Sequence, residues 1–185
     1  TYAESFGMEL IEIPLTDGRT DLQALASLLE DPAVAGVYVQ QPNYYGLLES
    51  AKEIGEMTHA AGARFVMGVN PIAAAIMQTP GEAGADIAVG EGQPLGMSLA
   101  FGGPYMGFMA CKENLTRRLP GRIVGETVDE AGNRAYVLTL QAREQHIRRE
   151  KASSGICSNE ALCALTASVY MTTMGPQGMR DVANL

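Results

Sequence analysis

Short apolar segments alternate with amphipathic ones along the first half of the chain. Runs rich in apolar and β-branched residues predict strands, and they occupy residues 8–15, 34–40, 63–69 and 85–89. Between these runs, apolar residues recur every three to four positions, which predicts helices over 22–30, 47–61 and, more briefly, 72–77. Because strand and helix alternate with short connections, we expect right-handed crossovers and a mostly parallel sheet with helices on its faces.

The second half of the chain predicts a different set of elements. Residues 112–119 form a short basic segment that is expected to be helical. Residues 122–128 and 136–140 flank an Asp-Glu-Ala-Gly-Asn turn, which is typical of a β-hairpin. A long apolar helix is predicted over 159–174, ended by Gly175-Pro176. No internal repeat or low-complexity linker separates these elements.

Composition favours one folded α/β domain spanning residues 1–185. Hydrophobic residues make up 46% and charged residues 18% of the chain, the balance of a globular protein and not of a disordered one. No run approaches the roughly 18 apolar residues that a membrane-spanning helix needs. The chain begins at Thr1 directly before a predicted strand, so we expect it to be part of a longer polypeptide. The three cysteines have no C-x-x-C spacing and predict buried free thiols in a reducing cytoplasm, with no disulfide framework and no metal site.

Charge is distributed unevenly along the chain. The net charge of −8 argues against nucleic acid as a partner. Residues 1–111 hold 3 basic and 13 acidic side chains, whereas residues 112–151 hold 9 basic and 6 acidic ones. The densest run, Arg143 to Lys151, is either a solvated helix face or a cationic surface that meets a carboxylate, a phosphate or an acidic protein. His146 lies in this run, whereas His59 lies among apolar neighbours on a predicted helix and is expected to be structural.

The richest glycine region covers residues 84–111, where the strand predicted at 85–89 runs into the sequence GEGQPLG. In α/β proteins the loop after a parallel strand is a common place for a functional site. The G-x-G-x-x-x-G spacing nearly matches a dinucleotide-binding fingerprint, so a Rossmann-like nucleotide site and a tight turn packed on neighbouring backbone are both open interpretations. No Gly-Lys-Ser/Thr follows to make a phosphate-binding loop, and Ser153-Ser154-Gly155 lacks the G-x-S-x-G pattern of serine hydrolases.

Several longer motifs resemble those of one enzyme family. They are VQQPNYYG, GADIAVGEGQPLG, FGGPYMGFMA, PGRIVGET and VLTLQAREQHIRREK. Together they are similar to the glycine cleavage system P-protein, the decarboxylating glycine dehydrogenase, and most of all to the first subunit of its two-subunit bacterial form. The resemblance covers essentially the whole chain. It implies the large domain of pyridoxal-phosphate-dependent transferase fold type I, with a mostly parallel sheet sandwiched by helices. The implied reaction is that of an oxidoreductase of glycine catabolism, which decarboxylates glycine and passes its aminomethyl group to the lipoyl arm of H-protein.

The same resemblance singles out Gln93. The catalytic half of the family carries His-Lys-Thr-Phe, with Gly-Gly-Pro about ten residues later, and its lysine holds pyridoxal phosphate as a Schiff base. Matching Pro104 to that proline places Gln93 at the lysine and Gly92 at the histidine. Glutamine cannot form an imine. Asn70 stands where the resemblance leads us to expect an aspartate, whose negative charge would keep the pyridine nitrogen protonated. The resemblance therefore implies that pyridoxal phosphate is held by the partner subunit and not by this chain. Ser153-Ser154-Gly155 also departs from the more usual Thr-Ser-Asn.

The family implies a set of partners and of contact residues. The partners are a second P-protein subunit, in a heterotetramer of two of each, the carrier H-protein and glycine. No residue of this chain alone is expected to be catalytic, and the candidates for lining the site or the interface are Tyr105, Arg143, Gln145, His146, Arg148 and Lys151. The alternatives are a non-catalytic scaffold that stabilises the partner or docks the lipoyl carrier, and a Rossmann-like nucleotide binder.

Overall fold

The computed structural model describes residues 2–119, 123–139, 149–152 and 160–185. Four α-helices are present in these ranges: α1 (Tyr2–Ser5), α2 (Leu22–Leu28), α3 (Ala51–Ala60) and α4 (Ala161–Ala183). The strands are β1 (Leu15–Thr16), β2 (Arg19–Thr20), β3 (Gly36–Gln41), β4 (Arg64–Val69), β5 (Ile87–Glu91), β6 (Gly107–Cys111), β7 (Ile123–Val128) and β8 (Arg134–Thr139). Short 3₁₀ helices cover Ala73–Ala75, Glu113–Arg118 and Arg149–Lys151.

A four-stranded sheet in the order β3-β4-β5-β6 is the centre of the fold. The first three strands are parallel and β6 runs antiparallel to β5, so the sheet is mostly parallel as predicted. One row across the sheet consists of Val39, Met67, Ala88 and Ala110 in register. The strands alternate with helices α2 and α3, which agrees with the crossover pattern expected from the sequence.

The hydrophobic core lies between one face of this sheet and the helices α2 and α3. Leu25 of α2, Ile54 of α3, and Phe65 and Met67 of β4 are each 1% exposed or less. Gly55 allows α3 to come this close, since a Cβ there would lie 2.8 Å from the carbonyl oxygen of Ala83 and 2.9 Å from the Phe65 ring. The burial alternates along β3, where Val37 and Val39 face the core.

The opposite face of the sheet is more open in the part of the chain that the structure describes. Tyr38 and Met109 on this face are 56% and 48% exposed. Helix α4 buries Ala167 and lies against the Ala73–Ala75 turn, and its Tyr170 contacts Gly96. Much of the apolar surface of α4 remains accessible, including Leu162 and Leu165.

Two predicted element boundaries are wrong. The strand predicted over 8–15 is reduced to Leu15–Thr16, paired with β2. Residues 8–14 are in no strand, because an alternating pattern makes a strand only where a ladder partner lies beside it. The helix predicted from residue 47 begins only at Ala51, since Asn43 organises the preceding turn by accepting hydrogen bonds from the amides of Tyr45 and Leu47, both at 3.0 Å.

Other predictions hold with adjustments. The β7–β8 hairpin is confirmed, with Val128 paired to Arg134 around the turn. The segments expected to be short helices at 72–77 and 112–119 are 3₁₀ turns. Gly175 does break the helical geometry, with φ 63° and ψ 176°, but a helical segment resumes beyond Pro176 and α4 extends to Ala183. Among the described residues, no helix has the length and hydropathy needed to cross a membrane.

Candidate functional site

The three parallel strands end at one edge of the sheet, and the loops that follow them form the candidate site. Strands β3, β4 and β5 end at Gln41, Val69 and Glu91. A cleft of about 260 Å³ opens at this carboxyl edge, lined by Tyr38, Gln40, Gly68, Val69, Asn70, Pro71, Val89, Gly90, Glu91 and Pro94. This is the position at which open α/β sheets bind ligands, because the strand ends leave backbone groups free beside the loops.

Two glycines let bulky rings lie close to this edge. A Cβ at Gly68 would collide with the hydroxyl of Tyr38, and one at Gly90 would collide with the ring of Phe108. Any side chain at either position would therefore displace an aromatic ring from its place on the sheet. Glycine here is required by close approach and not by a left-handed backbone, since neither residue has a positive φ.

Glu91 fixes the loop that joins β5 to β6, residues 92–106, which we call the glycine-rich loop. Its carboxylate oxygen Oε1 accepts hydrogen bonds from the amide of Gln93 at 3.0 Å and from the amide of Met106 at 2.7 Å. The Gly92 amide also donates to the carbonyl oxygen of Met106 at 2.7 Å. One side chain thus ties the beginning and the end of the loop together. Glu91 was not among the predicted site residues, although its place between two glycines at a strand end was a usable signal.

Gln93 lies in this loop, half-buried, two residues after β5 ends. Its side-chain amide donates to the carbonyl oxygen of Ser98 at 3.1 Å. The Met97 amide donates to the carbonyl oxygen of Gln93 at 3.1 Å. Gln93 therefore acts as a structural group of the loop, and its side-chain carboxamide offers no amine to a carbonyl compound.

Asn70 follows β4 and is exposed at the same edge. Its Oδ1 accepts hydrogen bonds from the amides of Ile72 at 2.9 Å and Ala73 at 3.2 Å, so the side chain caps the Ala73–Ala75 turn. A neutral amide used in this way does not supply the negative charge that a protonated pyridine nitrogen needs.

The predicted contact residues are only partly located. Tyr105 closes the glycine-rich loop and is 53% exposed, near Gly102. Lys151 lies in the separate 3₁₀ turn Arg149–Lys151 with an exposed side chain. The remaining predicted residues, which are Arg143, Gln145, His146 and Arg148, lie outside the described residues, as does the segment Ser153-Ser154-Gly155.

The residues at the carboxyl edge do not fit covalent attachment of pyridoxal phosphate. The chain has three lysines, Lys52, Lys112 and Lys151, and none of them is in the glycine-rich loop. Lys112 follows β6 at the other edge of the sheet, where its Nζ lies 3.2 Å from Asp86 Oδ1. Lys52 is exposed in the first turn of α3. Gln93 and Asn70 are both hydrogen-bonded to local backbone, and the glycine-rich loop offers no amine for covalent attachment of the cofactor.

At the amino edge of the sheet, opposite the candidate site, the buried carboxylate of Asp86 joins α3, β4 and the residue after β6. Asp86 is 3% exposed and accepts hydrogen bonds from the Phe65 amide at 3.0 Å and from Lys112, and its Oδ2 lies 2.9 Å from His59 Nε2. Arg64 Nη1 lies 3.6 Å from the other carboxylate oxygen of Asp86, Oδ1. Burial alone would raise the pKa of Asp86, but the hydrogen bonds from Phe65, His59 and Lys112 and the Lys112 charge outweigh it and lower the pKa from 3.8 to about 2. The structural role predicted for His59 agrees with this contact.

The fold belongs to a recognisable class. An apo cysteine desulfurase from Thermococcus onnurineus matches 94% of the chain at a TM-score of 0.55 and 22% identity, covering 41% of that protein. A pyridoxamine-pyruvate aminotransferase from Mesorhizobium loti matches 98% of the chain at a TM-score of 0.52 and 19% identity, covering 46% of that protein. The architecture is therefore that of pyridoxal-phosphate-dependent fold type I, as the resemblance of the motifs implied.

Closer relatives then identify the family. The family model described as glycine cleavage system P-protein matches residues 1–185. The probable glycine dehydrogenase (decarboxylating) subunit 1 of Moorella thermoacetica is 58% identical over 184 residues, which is 100% of this chain and 41% of the relative. A crystal structure of glycine decarboxylase (P-protein) of the glycine cleavage system, in inhibitor-bound form, superposes on 97% of the chain, and on 40% of that protein, with a TM-score of 0.91 and 47% identity. The chain belongs to the glycine cleavage system P-protein family, and it spans about two fifths of the length of its curated relatives.

Proposed function

We propose that this chain is part of subunit 1 of a two-subunit glycine dehydrogenase (decarboxylating). The whole enzyme would decarboxylate glycine and transfer the aminomethyl group to the lipoyl group of H-protein. In this proposal the second P-protein subunit holds pyridoxal phosphate, and the present chain completes the partner's site without a Schiff base of its own. A heterotetramer with two copies of each subunit, in the cytoplasm, is the assembly we expect.

The observation that carries this proposal is Gln93. A chain of the P-protein family presents a formed glycine-rich loop at the carboxyl edge of its sheet, but the loop has glutamine where the family resemblance places the lysine. The loop is held by Glu91 and by the side chain of Gln93 itself, which supports a loop that is formed without a lysine of its own. Relatives named glycine dehydrogenase (decarboxylating) subunit 1 support a second subunit as the partner.

Absorbance spectroscopy on the separate subunits tests the assignment of the cofactor. The full-length version of this chain, given pyridoxal phosphate alone, should develop no internal-aldimine band at about 420 nm, because its loop lacks a lysine. The band should appear on addition of the second subunit. A band from this chain alone, with borohydride reduction trapping the cofactor on Lys151, would refute the argument from Gln93. The matched control is Lys52→Ala, which removes another exposed lysine of this chain that is not among the predicted contact residues and should leave the band of the assembled enzyme unchanged.

Alanine substitution in the reconstituted enzyme separates site completion from a pure scaffold role. Arg143→Ala and His146→Ala should lower the turnover of the complex if these side chains line the partner's site. Unchanged turnover with weaker assembly would favour the scaffold. Arg134→Ala is the matched control, because this arginine lies on the β7–β8 hairpin, 68% exposed and paired with Glu126 at 3.0 Å. Co-purification of the second subunit with the full-length chain is the first observation to make.

A further inference from the structure

Helix α4 contacts two of the segments that border the cleft at the carboxyl edge of the sheet. One is the segment after β4, where Asn70 lines the cleft and caps the Ala73–Ala75 turn. The other is the start of the glycine-rich loop, which lines the cleft as far as Pro94. α4 lies against the Ala73–Ala75 turn, and its Tyr170 contacts Gly96, two residues beyond Pro94. One helix therefore joins both segments.

The spacing of side chains along α4 explains which face of the helix packs inwards. Ala167 is buried, and half-buried side chains recur around it at intervals of three and four residues. The members of this face are Cys163, Ala167, Tyr170 and Met174. Leu165 and Val169 lie on the other side of the helix and are exposed. Tyr170 is therefore directed at the loop by the same stripe that anchors α4 on the fold.

The contact between Tyr170 and Gly96 is close. A Cβ placed on Gly96 would lie 2.9 Å from Cβ, 3.0 Å from Cδ2 and 3.1 Å from Cγ of Tyr170. Because non-bonded carbon atoms prefer separations of about 3.5–4.0 Å, only glycine lets the tyrosine lie here without a shift. The three tyrosine atoms are also present in phenylalanine, so the hydroxyl group is not what makes the contact. The Tyr170 side chain packs directly on the backbone of the glycine-rich loop.

Hydrogen bonds close this part of the loop on itself but do not tie it to the turn after β4. The Leu95 amide donates to the carbonyl oxygen of Gly92 at 2.9 Å, and the Met97 amide donates to that of Gln93 at 3.1 Å. Among the hydrogen bonds of the described residues, none joins the glycine-rich loop to the turn that Asn70 caps. Packing on their common neighbour, α4, therefore holds these two segments relative to each other.

We infer that Tyr170 is a positioning residue, whose ring fixes Gly96 and with it the glycine-rich loop at the candidate site. This inference rests on the proposed function, because the place of the loop affects turnover only where this edge completes the site of the second subunit. Tyr170 acts through the backbone of the loop and not by contact with the substrate. A misplacement of about 1 Å caused by a distant substitution can lower the rate by about 100-fold, so loss of the ring should reach the reaction.

Hydrogen exchange in the free full-length subunit tests the contact itself. Tyr170→Ala should speed exchange of the Leu95 and Met97 amides by roughly tenfold, because the ring no longer covers this part of the loop. Tyr170→Phe should exchange as the wild type does, because it keeps every atom of the contact. Val169→Ala is the matched control, since this neighbouring side chain is 57% exposed. Unchanged exchange of both amides in Tyr170→Ala, or an equal acceleration at the Phe65 amide of the core, would overturn the inference.

Turnover of the assembled enzyme tests the positioning role. With the second subunit in saturating excess and well below the melting temperature, Tyr170→Ala should lower kcat by about tenfold or more, and Tyr170→Phe should restore it. Wild-type kcat in assembled Tyr170→Ala, or an equal loss in Tyr170→Phe, would refute this role, since a contact that serves stability alone changes only the melting temperature. An inactive wild-type complex, or an aldimine band on this chain alone, would instead refute the proposed function and the positioning role with it, whereas the exchange result would still report on the contact.

Discussion

Replacing Asp86 by asparagine removes a buried charge that joins α3, β4 and the residue after β6. The carboxylate is 3% exposed and faces Lys112, His59 and Arg64. Its pKa in the folded protein is about 2, against an ordinary value of 3.8. Each unit of pKa difference corresponds to about 1.4 kcal/mol, so ionisation of Asp86 stabilises the folded state by about 2 kcal/mol. Asp86→Asn should cost at least this much near neutral pH, because it also leaves Lys112 without its carboxylate partner.

The pH dependence gives the sharper test. Because the pKa of Asp86 is lowered on folding, the stabilisation is fully present above the unfolded-state value of 3.8 and is lost as the pH falls towards about 2. The gap in unfolding free energy between wild type and Asp86→Asn, measured by urea titration, should therefore be nearly constant from pH 7 to pH 5. It should shrink by about 2 kcal/mol between pH 4 and pH 2.

Asp129→Asn is the control for this experiment. Asp129 also has a lowered pKa, because it accepts hydrogen bonds chiefly from Asn133, but it lies in the exposed turn of the β7–β8 hairpin. Its substitution should change the unfolding free energy much less than Asp86→Asn does. The reasoning about buried charge is refuted if the two variants are equally stable at pH 7, or if the gap between wild type and Asp86→Asn is the same at pH 6 and pH 2.5.

Two further predictions concern the loop and the helix packing. Glu91→Ala should speed hydrogen exchange of the Gln93 and Met106 amides by roughly tenfold, since both amides lose their acceptor. Glu91→Gln is the control, because it keeps a carbonyl oxygen and its two amides should exchange nearly as in the wild type. Equal exchange rates in all three proteins would show that the Glu91 carboxylate does not hold the loop. Gly55→Ala should destabilise the protein by about 1–3 kcal/mol in thermal unfolding, because the new methyl group would lie too close to the carbonyl oxygen of Ala83 and to the Phe65 ring. Gly81→Ala, where a Cβ meets nothing within 4 Å, should be close to neutral, and equal effects of the two substitutions would contradict the packing argument.

The sequence predicted that the glycine-rich loop follows a parallel strand, which the structure shows, but it did not predict the hydrogen bonds that hold the loop. Gln93 was identified from the sequence because a resemblance of motifs and the spacing to Pro104 are both local along the chain. Glu91 was missed because its role depends on Met106, which is fifteen positions away and reaches it only through the return of β6. Asp86 was missed for the same reason, since its partners His59 and Lys112 are each more than twenty positions distant.

The local pattern of apolar and polar residues determined those helices and strands that bury one side in the core. Apolar runs bounded by polar turns predicted strands β3, β4 and β5, and the apolar stripe of residues 22–30 predicted α2. These predictions succeed because the spacing of apolar side chains determines which side of a strand or helix is buried. The motifs likewise determined the family. The tertiary structure alone decided that residues 8–14 form no strand, that β6 is antiparallel to its neighbour, and that one carboxylate holds the two ends of the glycine-rich loop. These features depend on which segments become neighbours in the folded chain. The free energy of a strand ladder, a buried charge or a loop closure is set by those neighbours and not by the local sequence.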